Sequence, residues 1–236
     1  MKKLKAVGIF IAAIAAVLLI CMACPLFNIK TVEINGTVNT SQSEIKELLG
    51  LNETMNLLAF NSFGAKDKLL EDPYIEDVSF SRKLPDTLII NIRERQIRGY
   101  VPYMGTFLYI DSQGRVLDAK SSFTEKHPVV KGLNFDKFTV GQILETDNEN
   151  VYDTVVEISK LMADYDMQED VLYVDVSDAA HIKIMTENVT VNFGDFTDSN
   201  QKIATLNEIL KEIPEDRKGF LDISDPDANP VFQILT

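Results

Sequence analysis

Cysteine is scarce in this chain of 236 residues, and both cysteines, Cys21 and Cys24, lie near the N-terminus. A Cys-x-x-Cys spacing is found in redox pairs and in half-sites for zinc. Two thiols alone do not complete the four ligands of a structural zinc site, so we interpret them as small apolar residues of a hydrophobic segment. The chain after Cys24 lacks cysteine, and no disulfide can stabilise it.

Histidine is equally scarce, which argues against most kinds of catalytic site. His127 and His181 are far apart in the sequence, and neither lies beside a recognisable nucleophile or metal ligand. The chain also lacks a Gly-x-Ser-x-Gly elbow, a phosphate-binding glycine loop and a His-Glu-x-x-His motif. Asp225-Pro226-Asp227 lacks the ligand series of a calcium loop and predicts a solvated turn. We expect no catalytic residue, no metal site and no cofactor.

Basic residues are few outside the N-terminus. Lys2, Lys3 and Lys5 account for three of the 23 basic residues, and the remaining 20 are outnumbered by 36 acidic residues, a net charge of −16 after the tail. Such a charge repels nucleic acid and anionic lipid head groups. Nucleic-acid binding is therefore excluded, and the length and hydrophobic content indicate one or two folded domains rather than disorder.

One long segment, the 24 residues from Ala6 to Ile29, has no acidic or basic residue. As a helix it reaches about 36 Å, enough to cross a hydrocarbon core of about 30 Å. We predict a cytoplasmic tail over 1–5 and a transmembrane helix over 6–28. The lysines of the tail favour an N-terminus in the cytoplasm and a C-terminus outside it.

Two alternatives to an uncleaved anchor fit this segment less well. A cleaved signal peptide has a shorter apolar region and a clean small-x-small cleavage site, which the stretch from Cys21 to Pro25 does not offer. A lipoprotein needs a small residue before the modified cysteine and an aliphatic residue three positions before it. Cys21 follows the large Ile20, and Cys24 has Cys21 at the aliphatic position.

Small residues recur at every fourth position of the predicted membrane helix, at Gly8, Ala12 and Ala16. This spacing allows a second helix to approach closely. Alanine is common in membrane helices, so the pattern fits simple lipid exposure at least as well as helix packing.

The segment 29–95 predicts the order strand, helix, helix, strand, strand. Residues 31–35 alternate in polarity, and the Ser41–Glu44 capping box precedes an apolar helical face. A second helix is predicted over 62–71. Leu84-Pro85-Asp86 predicts the turn of a hairpin, because proline presets φ and aspartate can bond its own backbone.

The segment 96–236 predicts a β-rich domain with flanking helices, separated from the first segment by a change of pattern near Arg95. Its two amphipathic helices are predicted over 150–165 and 199–213. The predicted strands cover 97–103, 106–110, 115–117, 128–131, 171–176, 181–185, 189–193, 220–223 and 231–235. The fold class is therefore α+β, with an N-terminal transmembrane helix.

The first outer segment resembles a POTRA domain of the FtsQ type, and the whole chain resembles the FtsQ/DivIB family. The resemblance in the first segment rests on the stretches 29–36, 69–78 and 82–95. In the second it rests on Ile110-Asp-Ser-Gln-Gly-Arg-Val116, Val191-Asn-Phe-Gly-Asp195 and Gly219-Phe-Leu-Asp-Ile-Ser-Asp225. The family's order also matches: short tail, anchor, POTRA domain over 29–95 and β domain over 96–236.

The resemblance implies a non-catalytic bitopic protein of the bacterial divisome, in the cell membrane at the division septum. It implies partners of the FtsL and DivIC/FtsB type and, through them, the septal peptidoglycan synthase. It also implies that the end of the β domain receives a partner segment by strand addition, a mode in which an unpaired sheet edge offers main-chain groups. The residues implied by position are Leu221, Asp222, Ile223, Ser224, Val231, Phe232 and Gln233.

Other interpretations of these residues stay open. Leu221, Ile223 and Phe232 are equally well explained as core residues of the last strands. A POTRA-bearing translocation or assembly component normally ends in a large β-barrel, whereas 141 residues with two amphipathic helices follow Arg95 here. An anchored extracytoplasmic enzyme is disfavoured by the lack of a recognisable site.

Overall fold

The structure of this chain is a computed structural model that describes residues 2–123, 127–147, 149–214 and 216–235; within the helices, the side chains of residues 2–6, 8, 15, 17–19, 23 and 149–151 lie outside that description. The chain divides into two compact units, Met1–Arg95 and Gln96–Thr236. We call them the N-terminal unit and the C-terminal unit.

The N-terminal unit begins with a helix, α1 (Lys2–Ala23), which starts inside the segment predicted as a tail and ends before residue 28. Proline cannot continue a helix, because it has no amide hydrogen and its ring clashes with the preceding turn. A short 3₁₀ turn, Pro25–Phe27, follows instead. Within the described part of the chain, no helix combines the length and the apolar character needed to cross a membrane.

The predicted order of strand, helix, helix, strand, strand in the N-terminal unit is confirmed. The third strand lies in the centre of a three-stranded sheet, parallel to the first strand and antiparallel to the second. The bounds are β1 (Thr31–Asn35), α2 (Gln42–Leu48), α3 (Ser62–Leu69), β2 (Ile75–Lys83) and β3 (Thr87–Glu94). The second helix is shorter than predicted and ends ahead of Pro73.

Local chemistry explains where these elements begin. The Ser41 side chain accepts from the Glu44 amide, and the Glu44 carboxylate accepts from the Ser41 amide, so the predicted capping box forms. The Asn61 side chain caps α3 by accepting from the Gly64 amide over 3.1 Å. The two helices and the sheet share a core that includes Ile34, Ile45, Leu57, Leu69, Leu88 and Ile90.

The C-terminal unit is built on a nine-stranded sheet, counted within the described residues, in the order β12-β11-β10-β9-β8-β7-β4-β5-β6. Pairs β4–β7, β7–β8 and β10–β11 are parallel, and the others are antiparallel. The strands are β4 (Gly99–Tyr103), β5 (Thr106–Ile110), β6 (Val116–Lys120), β7 (Val129–Lys131), β8 (Val171–Asp175), β9 (Ile182–Thr186), β10 (Val189–Gly194), β11 (Gly219–Asp222) and β12 (Val231–Ile234).

Both predicted helices of this unit are confirmed as α4 (Glu149–Asp164) and α5 (Ser199–Glu212). They pack on one face of the sheet, where Ile158 of α4 and Ile203 of α5 share a core with Val174, Val191 and Leu221. On the opposite face a smaller aromatic cluster surrounds Tyr100, whose ring centroid lies 4.8 Å from that of Tyr109 and 5.0 Å from that of Phe123. An α+β fold with a β-rich second unit results.

The predicted strands of the second segment are all present, with small shifts of their ends. The largest shift affects the strand predicted over 115–117, which runs from Val116 to Lys120. Residues 97 and 98 lie ahead of β4, where the Arg98 amide donates to the Ile110 carbonyl. Strand ends depend on pairing partners as well as on local pattern, so they are the least predictable feature of a sequence.

Candidate partner-binding edge

The candidate site lies at one edge of the nine-stranded sheet. Strand β12 is the outermost strand and pairs with β11 in antiparallel register, with Phe232 opposite Leu221. Among the residues that the structure describes, no strand lies on the other side of β12. The last strand therefore has one paired edge and one open edge.

The main-chain groups of β12 alternate between these two edges, as they do in any antiparallel strand. The Leu235 amide donates to the Lys218 carbonyl over 2.8 Å, which fixes the phase of the alternation. By the same alternation Gln233 faces β11, whereas the amide and carbonyl groups of Phe232 and Ile234 face the open edge. These four groups are the ones that an added strand would reach.

The predicted site residues fall into two sets on the two faces of the sheet. Leu221 and Ile223 are buried in the main core, and the half-buried Phe232 packs against the same core. Val231 and Gln233 lie on the opposite face and are exposed, Val231 by 51%. Of the predicted residues, the structure therefore exposes Val231 and Gln233 on the surface of β12, whereas Leu221 and Ile223 belong to the core.

Phe232 fixes β12 against its neighbour through a position that only glycine can fill. A Cβ atom at Gly219 would lie 2.4 Å from two ring carbons of Phe232 and 2.6 Å from the Gln233 carbonyl oxygen. Such distances are well inside van der Waals contact, so a side chain at this position would push the last strand away.

Asp222 and Ser224 form a hydrogen-bonded turn where β11 ends. One carboxylate oxygen of Asp222 accepts from the Ser224 amide over 3.0 Å and from its hydroxyl over 2.7 Å. The other accepts from the Asn192 side chain over 3.2 Å. Mainly through the Ser224 hydroxyl, these bonds hold the pKa of Asp222 below its ordinary value of 3.8. Both residues act in holding the chain rather than as free ligands.

The turn between β11 and β12 is solvated and is held by a hydrogen bond within the turn and by one from α5. The Asp225 carboxylate accepts from the Asp227 amide over 3.0 Å, and the Pro226 carbonyl accepts from the Gln201 side chain over 3.2 Å. In the described portion of the chain, no group of three or more histidine, cysteine, aspartate or glutamate side chains is arranged to hold a metal ion.

Ile234 and Leu235 were predicted as part of the last strand but not as partner-binding residues. Ile234 is 51% exposed and Leu235 is 66% exposed, although both are large apolar side chains. Period-two alternation from Phe232 already points to Ile234 as the next residue on the same face. The sequence does not reveal the order of the strands in the sheet, and Ile234 is uncovered because β12 is the outermost strand.

The remaining candidate residues belong to other elements of the chain. Ala12 and Ala16 are exposed on α1, and the surroundings of Gly8 lie outside the described residues. His181 is exposed, and its Nδ1 lies 2.8 Å from a carboxylate oxygen of Asp178. His127 lies beside the aromatic cluster, with its ring centroid 6.0 Å from that of Tyr100.

Two family models match this chain, one in each unit. The POTRA domain of the FtsQ type matches residues 27–95. The domain described as FtsQ/DivIB, C-terminal related, matches residues 102–219, which is half of the chain. The chain belongs to the FtsQ/DivIB family. The second match ends at Gly219, where β11 begins, so most of the candidate edge lies beyond the matched residues.

Relatives named DivIB or FtsQ resemble this chain over half of its length or more. The cell division protein DivIB of Clostridium botulinum is 28% identical over 233 residues, covering 98% of this chain and 91% of the relative. The cell division protein FtsQ of Corynebacterium glutamicum is 20% identical over 207 residues, 87% of this chain and 88% of the relative. DivIB of Staphylococcus aureus is 33% identical over 119 residues, 50% of this chain and 27% of that protein.

Proposed function

We propose that this member of the FtsQ/DivIB family is a non-catalytic bitopic scaffold of the division machinery. It links division proteins outside the cytoplasmic membrane during septal peptidoglycan synthesis. The names of its relatives support a role in cell division. The open β12 edge is the observation that supports a linking role, because it offers a binding surface made of main-chain groups.

The proposal places the N-terminus in the cytoplasm and both folded units outside it. The uncharged segment from Ala6 to Ile29, with three lysines before it, supports an anchor in this orientation. Large apolar side chains of α1, among them Ile9, Phe10 and Ile11, are exposed rather than packed against the rest of the N-terminal unit. An exposed apolar helix surface is stable where lipid replaces water.

The binding step is the addition of a partner strand to β12. The amide and carbonyl groups of Phe232 and Ile234 would form up to four main-chain hydrogen bonds, each with a net contribution of about 0.5–1.5 kcal/mol. The side chains of Val231, Ile234 and Leu235 would be covered at the same time. We propose an extended, partly apolar segment of an FtsL-type or DivIC/FtsB-type protein as the added strand.

Proline at two neighbouring positions tests strand addition, because only one of them removes a bond within the protein. Ile234→Pro removes an amide that faces the open edge, which edge strands tolerate. Gln233→Pro removes an amide that faces β11 and should loosen the strand itself. The measurements are the affinity of the full chain for its full-length partners in detergent, and its thermal stability.

Strand addition predicts that Ile234→Pro lowers the affinity at least tenfold with unchanged stability, since several main-chain bonds of about 1 kcal/mol each depend on that alignment. Gln233→Pro should lower both. If Ile234→Pro folds normally and binds its partners as tightly as the unmodified chain, β12 does not receive a strand.

The cellular role has its own test. Depletion of the protein should block septation, and a fluorescent fusion should concentrate at midcell. Even distribution around the cell with normal septa would remove the proposed role in division.

A further inference from the structure

The end of α1 and the residues after it are hydrogen-bonded to the segment 55–57 of the same unit. The Leu57 amide donates to the Phe27 carbonyl over 2.7 Å, and the Ile29 amide donates to the Met55 carbonyl over 2.9 Å. The Asn56 side chain between them donates to the Cys21 carbonyl, in the last turn of α1, over 3.2 Å. The segment 55–57 therefore fixes the folded unit to the helix end.

The β2–β3 hairpin turn lies at the same end of the unit. Arg82 donates through Nε to the Leu57 carbonyl over 2.9 Å, so the hairpin is bonded to the segment that holds the helix. The Lys30 amide donates to the Asp86 carbonyl over 2.9 Å, and Thr31 is in parallel register with Thr87. The start of β1 and the hairpin turn therefore lie side by side, at the end of the sheet that is next to the end of α1.

This end of the unit carries an exposed surface that combines leucine and lysine. Leu84 is 62% exposed and Leu26 is 57% exposed. Lys83 is exposed beside Leu84, and Lys30 is exposed with its Nζ 3.4 Å from a carboxylate oxygen of Asp86. We call Leu26, Lys30, Lys83 and Leu84 the basal surface. Large exposed leucines between basic residues are typical of surfaces that meet the lipid head groups.

We propose that the basal surface rests on the head groups of anionic phospholipids around the anchor, with Leu84 inserted at their boundary with the acyl chains. This inference depends on the membrane anchor of the proposed function. The lysines would supply the attraction to the lipid phosphates, and the leucines would leave water.

The acidic character of the outer part does not oppose this local contact. The net charge of −16 prevents general adsorption to anionic lipid, yet charges farther away than about 8 Å are largely screened at physiological ionic strength. Lys30 and the neighbouring carboxylate of Asp86 form an ion pair, so Lys30, Lys83 and Asp86 together carry a net charge of +1. The contact would hold the POTRA domain at a fixed height and tilt above the bilayer.

The absence of tryptophan from the chain gives a direct test, because one introduced tryptophan is the only one to fluoresce. Three full-length variants serve: Leu84→Trp on the basal surface, Val38→Trp as a control, and Phe10→Trp within α1. Val38 is 88% exposed and follows the far end of β1 from the turn. Each variant is reconstituted into vesicles of phosphatidylglycerol and phosphatidylcholine that contain spin-labelled lipid as a quencher.

The inference predicts that Leu84→Trp is blue-shifted and quenched, whereas Val38→Trp emits as in water. Adding Lys83→Gln to Leu84→Trp should shift the docking equilibrium about fivefold toward the undocked state, which is the effect of losing one basic residue at an anionic surface. In vesicles of phosphatidylcholine alone, the quenching of Leu84→Trp should also be weaker.

Phe10→Trp distinguishes failure of the proposed membrane anchor from failure of the proposed contact between the basal surface and the lipid. If Phe10→Trp is quenched and Leu84→Trp is not, the chain is anchored and the basal surface does not touch the bilayer, which overturns the inference alone. If Phe10→Trp is not quenched, the anchor itself is wrong and the inference falls with it. Equal quenching of Leu84→Trp and Val38→Trp would also overturn the inference, since contact would not be confined to the basal end.

Discussion

At one edge of the nine-stranded sheet, β6 is covered by its own chain, whereas at the other edge β12 presents its main chain to the surroundings. The Val116 amide donates to the Gln142 carbonyl over 2.9 Å, and the Gly141 amide donates to the Val116 carbonyl over 2.7 Å. Farther along β6, the Asp118 carboxylate accepts from the Ala119 amide and pairs with Lys120. A loop and two charges therefore close this edge.

The β12 edge has neither kind of protection within the described residues. Apart from Gln233, its exposed side chains are apolar, namely Val231, Ile234 and the following Leu235. Between its ends β12 also lacks the lysine and proline that usually protect an outer strand. An unprotected apolar edge favours association with another chain. The contrast with β6 supports the proposal that β12, rather than β6, receives a partner strand.

The largest expected effect comes from the side chain that holds the open edge in place. Phe232→Ala should destabilise the β11–β12 pairing by about 2–3 kcal/mol, less than a fully buried phenylalanine, because Phe232 is half-buried. Hydrogen exchange of the amides of β11 and β12 measures this loss. Val231→Ala, on the exposed face, should change it by no more than about 0.5 kcal/mol. Equal effects of the two changes would contradict the assigned packing.

The next effect tests whether the open edge can be made to resemble the closed one. Ile234→Lys places a charge where a partner strand would lie and should weaken partner binding about tenfold, or 1.4 kcal/mol, with unchanged stability. The affinity of the full chain for its partner measures this. The matched control, Lys120→Ile on β6, should leave partner binding as it is. Weakening by the control alone would move the binding site to β6.

A smaller effect is expected from pH at the end of β11. The pKa of Asp222 is lowered by its bonds to Ser224, so its stabilising contribution is complete above about pH 4 and is lost as the pH falls through the folded-state pKa. Asp222→Asn should cost about 1 kcal/mol at pH 7 and flatten the loss of stability in acid. Denaturation curves between pH 7 and pH 2 check both. A variant with the same acid dependence as the unmodified protein would contradict the assignment.

The smallest effect is expected at the closed edge. Arg115 donates through its guanidinium to the Gly141 carbonyl and helps to hold the covering loop, although its buried Nε has no hydrogen-bond partner among the described residues. Arg115→Ala should therefore cost only about 0.5–1 kcal/mol. Exchange of the amides of β6 should rise, and partner affinity should stay constant. A loss of affinity would show that the two edges are not independent.

Local features of the fold were predictable from single stretches of sequence. The Ser41–Glu44 box specifies the start of α2, because both halves of the reciprocal bond lie within four residues. The hairpin at Leu84-Pro85-Asp86 was predictable for the same reason. The chemistry that these elements need is contained in neighbouring residues, and the resemblance to the FtsQ/DivIB family supplied the order of the domains.

The candidate site was predictable only in part. Position within the family pointed to the last two strands, yet it grouped Leu221 and Ile223 with Val231 and Gln233. The structure buries the first two and exposes the second two. Ile234 was not predicted as a partner-binding residue, because an apolar residue of a strand has the same local sequence pattern whether or not another element covers its side chain.

Local sequence patterns specify which segments become helices and strands, and which face of each is apolar, because period and capping depend on nearby residues. The position of β7 between β8 and β4, the parallel pairing of β10 with β11 and the outermost position of β12 are seen only in the folded chain. These features depend on pairing between residues far apart in the chain, and no local pattern encodes them. The open edge of β12, on which the proposed function depends, is a property of that pairing.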